Sequence, residues 1–443
     1  MFSPLDTRYL ETLPETLSEE FMLKAQVKVE TVWLLELKAR GFLKETFTEE
    51  VLDAALKDIS QDEITEIERT TQHATRALVE AIAARLKKAG LKEAAEWVHV
   101  GLTSFDTVDT ASRWRLKEFM TKDFFPQLVL LKKELLRRTE LHALTPQVGR
   151  THGQWAVPSL FGLLFSESLD RILDQEIRIK GSVENLRGQS SGAIGGYQAT
   201  SLLVDNPLEL EKTFLGRLGL KPAYASSQIL PPEDVVNLAQ DMYVVGSVIA
   251  KLAGDLRHLA RSEIAEISEG MAPGQVGSST MPQKRNPWNF EHICSLYKVL
   301  QTRLQLLQID MVTEHQRDLT NSASGRFYIE FFAVLYLMVH RLNRVLPRME
   351  VHNANMARNI KSAGGSVYAE ALYVGLTLKG VEDAHSKVRE GAREAEAKGL
   401  DLIDVLSEKK MLPDNMTPEK IRARILKGSE LKLRTVLDKA RKA

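Results

Sequence analysis

Apolar residues recur every three or four positions along most of the chain. In 20–40 they fall at Phe21, Leu23, Val27, Val29, Val32, Leu35 and Leu37, with Gly41 placed to stop a helix. Segment 126–142 repeats the habit with Leu128, Leu130, Leu131, Leu135 and Leu136. The clearest run is 234–263, where Val235, Leu238, Ala239, Met242, Val245, Ile249, Leu252, Leu256 and Leu259 form one long stripe. About thirty helical residues span roughly 45 Å, more than one small domain needs. Segments 291–311 and 327–349 continue the pattern. Helices this long, without strand–helix alternation, predict an all-α elongated bundle. Stripes this broad predict burial on several sides, and hence an oligomer rather than a lone bundle.

Three stretches break the periodicity and read as loops: Gly101–Asp109, Gly188–Gly196 and Gly270–Pro287. The texture changes between 100 and 111, and again near 351–366, where Asn353, Asn355 and Gly364-Gly365 close the bundle. The tail has its own breaks at Gly380, Gly399 and Pro413. These boundaries predict an N-terminal helical domain over 1–105, a central long-helix bundle over 106–352 that carries the 270–287 loop, and a C-terminal helical domain over 353–443. The nine Lys and Arg against three Asp and Glu in the last 25 residues read as a solvated helix surface.

Charge and composition narrow the function. Lys+Arg and Asp+Glu are both 59, so the basic excess of a nucleic-acid binder is missing. No run of about 20 apolar residues suggests a membrane span. The acidic first twenty residues lack a basic-then-apolar signal pattern, which makes a cytoplasmic location the expectation. A single cysteine, Cys294, excludes an internal disulfide or a multi-cysteine zinc site, and the ten histidines form no HExxH pair.

Chemistry-bearing residues cluster in the breaks. The 274–287 stretch, GQVGSSTMPQKRNP, holds Ser278, Ser279, Lys284, Arg285 and Asn286. A loop with hydroxyls, cations and an amide can close over an anionic substrate, although it lacks P-loop spacing. Arg150-Thr151-His152-Gly153-Gln154 offers an imidazole with open space beside it, suited to proton transfer near neutrality. His99-Val100-Gly101-Leu102-Thr103-Ser104 adds a second imidazole and two hydroxyls, followed by Asp106, Asp109 and Thr110, which can equally be helix caps. His73 lies in ERTTQH, Arg8 precedes Tyr9, and Arg317-Asp318 leads to Ser322 and Arg326. Arginines clamp phosphates and carboxylates through their forked donors.

GSSTMPQKRNP resembles the signature loop GSSxMPxKxNP of the fumarase/aspartase/argininosuccinate lyase superfamily. Within it, SPLDTRY, ERTTQH, HVGLTSFDTVDTA, GRTHGQ, SGAIG and QRDLTNSASGR together resemble the adenylosuccinate lyase family, in order from Ser3 to Arg326. The tail resembles that family's C-terminal helical domain.

The resemblance implies an all-α, three-part lyase fold packed into a homotetrameric helical core, with active sites shared between chains. It implies release of fumarate by β-elimination from adenylosuccinate and from succinyl-aminoimidazole-carboxamide ribotide, in purine biosynthesis and without metal or organic cofactor. Ser278 matches the family base and His152 the acid that protonates the departing nitrogen. Lys284 and Asn286 match groups that stabilise the aci-carboxylate. His73 matches a histidine that places the phosphate and the reacting groups, and Arg8 and Tyr9 match the nucleotide-phosphate contact. His99, Thr103 and Ser104 match substrate contacts, the last two on the succinyl carboxylate. Gln228, Arg317, Ser322 and Arg326 match further nucleotide or carboxylate contacts. No nucleic-acid or membrane partner is implied.

Some positions depart from the family pattern. Ala74 replaces the usual Asp after the histidine, Gln283 the usual His, His292 the usual Asn, and Pro232-Glu233 the expected Arg-Asp. The rival readings are a sister lyase acting on another N-succinyl compound, such as argininosuccinate, and a non-catalytic structural member. A phosphate clamp at Arg8-Tyr9 favours a nucleotide over the first, and Ser278, His152 and Lys284 together argue against the second.

Overall fold

A computed structural model of the chain describes residues 3–271, 274, 280–281, 283–412 and 418–442. Helices dominate, and the periodicity places Glu19–Ala39, Phe125–Leu141, Glu233–Leu259, Trp288–Ile309 and Ile329–Val345 well, but it does not single out the equally long Gly162–Glu184 and Pro418–Lys442. The 234–263 stripe stops at Leu259 because the chain turns there. The Glu266 N–H donates to the Leu259 carbonyl (3.0 Å), and Ala265 takes a left-handed φ of 49°. The Glu233–Leu259 helix is long and apolar enough to cross a membrane by length and composition, unlike the sequence expectation. Its Asp241 accepts from Ser182 and Gln175, and its Lys251 pairs with Glu167 and Asp255, as suits a core helix.

The expected loop at Gly101–Asp109 is largely helix. Ser104–Phe119 begins after Thr103, whose N–H and Oγ1 both donate to the Asp106 carboxylate at 2.8 and 3.1 Å. A single π-turn, Met120–Phe124, joins this helix to Phe125–Leu141.

Contacts divide the chain into two compact units. One comprises Met1–Leu128, Gln175–Gly246 and Leu296–Leu337. Its core includes fully buried Trp33, edge-on to Phe214 at 5.1 Å, and Phe119 packed against Phe124 and Phe332. The other comprises Val129–Asp174, Ser247–Ser295 and Met338–Ala443. Here Leu372, Leu376, Leu402, Ile403 and Leu406 build a cluster that Val148 joins from a β-hairpin.

That hairpin, Pro146–Thr151 paired antiparallel with Gln154–Leu160, is absent from the helical reading. Its connection is the two-residue turn His152-Gly153, with φ of 54° and 74°. Positive φ at both central positions is the type I′ geometry that matches strand twist.

Candidate active site

The sequence candidates separate by unit. His73, His99, Thr103, Ser104, Gln228 and Arg317 lie in the first, with Arg8, Tyr9, Ser322 and Arg326, whereas His152, Lys284 and Asn286 lie in the second. Ser278 lies outside the described residues.

In the first unit the polar groups gather at the start of the Ser104–Phe119 helix. The Arg317 guanidinium stacks over the Phe105 ring at 3.7 Å and donates to the Gln228 side-chain oxygen at 2.8 Å. Burial pulls the Arg317 pKa down from its ordinary value. The Gln228 carbonyl in turn accepts from Gln189 (2.8 Å), which exchanges bonds with Thr110 on the same helix. A half-buried cation and an amide are thus fixed beside a helix N-terminus, whose free N–H groups also favour anions.

His99 stands in the same corner with a left-handed φ of 64°. Its Nδ1 is 2.7 Å from Oε1 of Glu30, a fully buried carboxylate that also accepts from Thr107 at 2.6 Å. Burial drives the imidazole toward the neutral form, but the charge and hydrogen bond of Glu30 outweigh it and raise the pKa above 6.5. His73 caps the Ala74–Lys88 helix, its Nδ1 accepting the Arg76 N–H at 3.2 Å. The side chains of Arg8, Ser322 and Arg326 are exposed and make no hydrogen bond or ion pair to the described residues.

Two buried acids lie behind this corner: Asp106, which the sequence offers as a candidate cap, and Glu211, which it does not single out. Burial pushes Asp106 up to about 6, against the hydrogen bonds it accepts from Thr103 and Gly192. Burial likewise pushes Glu211 up to about 7, although the Ser190 N–H and the Tyr197 hydroxyl bond to it. Both tie the Gly188–Gly196 stretch to the helices beneath it. Asp106 has a local signal, the capping box, whereas Glu211 has none.

In the second unit His152 occupies the exposed hairpin tip. Histidine is one of the few side chains that visit left-handed backbone with some frequency. Beneath the tip, fully buried Glu266 accepts from Gln147 at 2.7 Å, from both Nη atoms of Arg150 at 3.2 and 2.8 Å, and from Asn359 at 2.8 Å.

Glu266 also leads directly into the signature loop. Ile267–Ser268 pairs with Glu350–Val351, and Glu269 then accepts the N–H groups of Asn289 and Phe290 at 3.2 and 2.8 Å. The entrance of the loop is therefore pinned to its exit, where the Trp288–Ile309 helix starts. Lys284 and Arg285 are exposed beside this junction, and half-buried Asn286 lines a cleft there with Ser268, Gly270 and Trp288.

Gly270 sits at the pivot with φ 67°, and an added Cβ would lie 2.1 Å from the Arg348 carbonyl oxygen. Gly270→Ala is expected to cost about 1–3 kcal/mol and to lower kcat by displacing the loop entrance. Thermal unfolding and initial rates on the purified variant check this; unchanged values in both would remove the pivot role.

Residues 7–300 match the family described as lyase, and residues 313–424 match the adenylosuccinate lyase C-terminal family. The adenylosuccinate lyase of Pyrococcus abyssi is 33% identical over 414 residues, 91% of this chain and 89% of the relative. That of Pyrococcus horikoshii is 31% identical and covers 99% of this chain and 95% of its own length. The chain belongs to the adenylosuccinate lyase family. In fold it is similar to β-carboxy-cis,cis-muconate cycloisomerase from Acinetobacter calcoaceticus, with a TM-score of 0.82, 22% identity, and 96% and 97% of the two chains covered. The all-α expectation with a superfamily lyase fold is met, with three two-stranded ladders added among the described residues.

Proposed function

We propose that this family member releases fumarate from adenylosuccinate, leaving AMP, and from succinyl-aminoimidazole-carboxamide ribotide by the same β-elimination. The observation that carries the reading is the anion-binding corner at the Ser104–Phe119 helix. There buried Glu30 holds His99, buried Gln189 holds Gln228, and Gln228 with the half-buried Phe105 ring holds the Arg317 guanidinium. A dicarboxylate or phosphate ester needs that set of donors.

The reaction begins when a base takes a proton from the methylene carbon beside a succinyl carboxylate. Ser278 takes this role. The electron pair left behind spreads into the carboxylate, and Lys284 and Asn286 stabilise the aci-carboxylate where charge develops. It then returns to form the carbon–carbon double bond as the C–N bond breaks. His152 gives its proton to the departing nitrogen, completing fumarate and the free amine. An exposed imidazole on a tight hairpin tip suits that transfer. His73 places the reacting groups, Arg8 and Tyr9 hold the phosphate, Thr103 and Ser104 hold the succinyl carboxylate, and Ser322 and Arg326 add substrate contacts. No step requires a metal or organic cofactor.

The same reading carries a homotetramer with sites completed between chains, a cytoplasmic location, and the division at 1–105, 106–352 and 353–443. Exposed Ile177, Val244 and Val299 on three of the long helices support an oligomer, since they leave apolar surface for a partner copy.

The test is ultraviolet-monitored turnover of adenylosuccinate by the purified protein, with fumarate and AMP identified as products. Prompt turnover is expected. A folded protein inert toward adenylosuccinate but active on argininosuccinate would overturn the substrate assignment and point to Ala74, Gln283, His292 and Pro232-Glu233.

A further inference from the structure

We propose that Glu30 is a positioning residue for His99: it binds Nδ1 and leaves Nε2–H as the donor that holds an anionic group of the substrate. This inference rests on the proposed lyase reading for the identity of the ligand, but the pairing itself rests on geometry.

Glu30 lies on the Glu19–Ala39 helix and is fully buried. Its Oε1 takes the bonds from His99 and Thr107 at 2.7 and 2.6 Å, while its buried Oε2 has no partner among the described residues. A buried carboxylate with an unmatched oxygen is costly unless a cation compensates it. His99 is the titratable ring in contact with it, and once protonated it supplies that cation. The charges acting on His99 are Glu30 and Asp106, which favour protonation, and Arg76, which opposes it.

The backbone fixes the ring for this task. His99 is held in left-handed conformation, an arrangement that carries strain and persists only when neighbours impose it. Trp33, three residues after Glu30 on the same helix, donates its indole N–H to the Val100 carbonyl at 2.8 Å, and the Leu102 N–H returns to the His99 carbonyl at 3.1 Å. One helix thus positions both the backbone and the ring nitrogen of His99. With Nδ1 occupied, Nε2 has no partner among the described residues and the side chain remains 18% exposed. Charge decides what Nε2 can do. On an imidazolium it is a donor, whereas on a neutral ring protonated at Nδ1 it is an acceptor and repels an anion.

The first readout needs no substrate. Diethylpyrocarbonate acylates neutral imidazoles, so the pH dependence of His99 modification, followed by peptide mass spectrometry on the full-length protein, reports its ionisation. In the wild type the midpoint is expected above 6.5. In Glu30→Gln, with only Asp106 left to oppose burial, the midpoint is expected to fall. Identical profiles would overturn the pairing.

The second readout is kinetic. At pH 6.5, below the raised pKa of His99, Glu30→Gln is expected to raise KM for adenylosuccinate by roughly 10-fold, with kcat within about 3-fold, the signature of lost binding. His99→Gln is expected to raise it similarly, and the double variant no further, because the two act as one unit. Additive effects, or a fall in kcat at constant KM, would overturn the anchoring role. If Glu30→Gln does not fold, the wild-type modification midpoint and the His99→Gln kinetics still decide both parts. If the wild type does not turn over adenylosuccinate, the substrate reading fails, and the modification profile alone upholds or removes the pairing.

Discussion

Ser278→Ala and His152→Ala are each expected to lower kcat on adenylosuccinate by roughly 10²–10⁴-fold, the range for loss of a positioned acid or base. KM should change little, because neither group is assigned to ground-state binding. Folding should be preserved in the histidine variant, since His152 is exposed at a hairpin tip and its neighbours are held from below by Glu266. The side chain at this turn must tolerate φ of 54°, so His152→Asn is the gentler control for backbone strain. Mixing the two inactive proteins under conditions of subunit exchange should then restore part of the activity. Hybrid assemblies would contain sites with one intact serine and one intact histidine. Verified exchange with no recovered turnover would remove the shared site and require each chain to supply both groups itself.

Most of the long helices were legible because their 3.6-residue apolar period is strong, and the Glu19–Ala39 helix ends within a residue or two of its expected limits; Gly162–Glu184 and Pro418–Lys442 were not singled out. The hairpin at Pro146–Leu160 was not. Its strands are short, and the register slips between Val148 and Arg150, which blurs a two-residue alternation. The start of the Ser104–Phe119 helix was readable from Thr103 and Asp106 as a capping box, yet the surrounding hydroxyls and glycine favoured a loop.

The site divides in the same way. His152, Lys284 and Arg317 announce themselves through motif and residue type. Glu30 does not, because in the run KVETVW it reads as one more polar position on an amphipathic helix. Its partner His99 is 69 residues away, and only folding shows that this carboxylate faces inward. Glu211 and Glu266 are hidden for the same reason: helix and turn carboxylates belong to the surface by default, and burial with several donors is a tertiary fact.

Glu266 is where this hidden layer should matter most for stability. Its two oxygens accept four hydrogen bonds from Gln147, Arg150 and Asn359, two of them from one guanidinium. Glu266→Ala leaves that guanidinium and two amides without their acceptor, and Arg150 is only 15% exposed. Removing one partner of a buried pair costs about 3–5 kcal/mol, since the remaining charge stays desolvated. The midpoint of thermal unfolding at fixed protein concentration is therefore expected to fall by several degrees. Glu266→Gln should fall less, because it keeps one acceptor oxygen while turning the other into a donor that faces donors. Activity should drop as well, because Arg150 and Gln147 lie on the strand that ends at His152, and the next residues after Glu266 lead into the 270–287 loop. Misplacing either segment by about 1 Å is enough to lose roughly 10²-fold in rate. A variant that unfolds at the wild-type temperature would show that the hairpin is held by its apolar contacts, such as Val148 in the C-terminal cluster, rather than by this carboxylate.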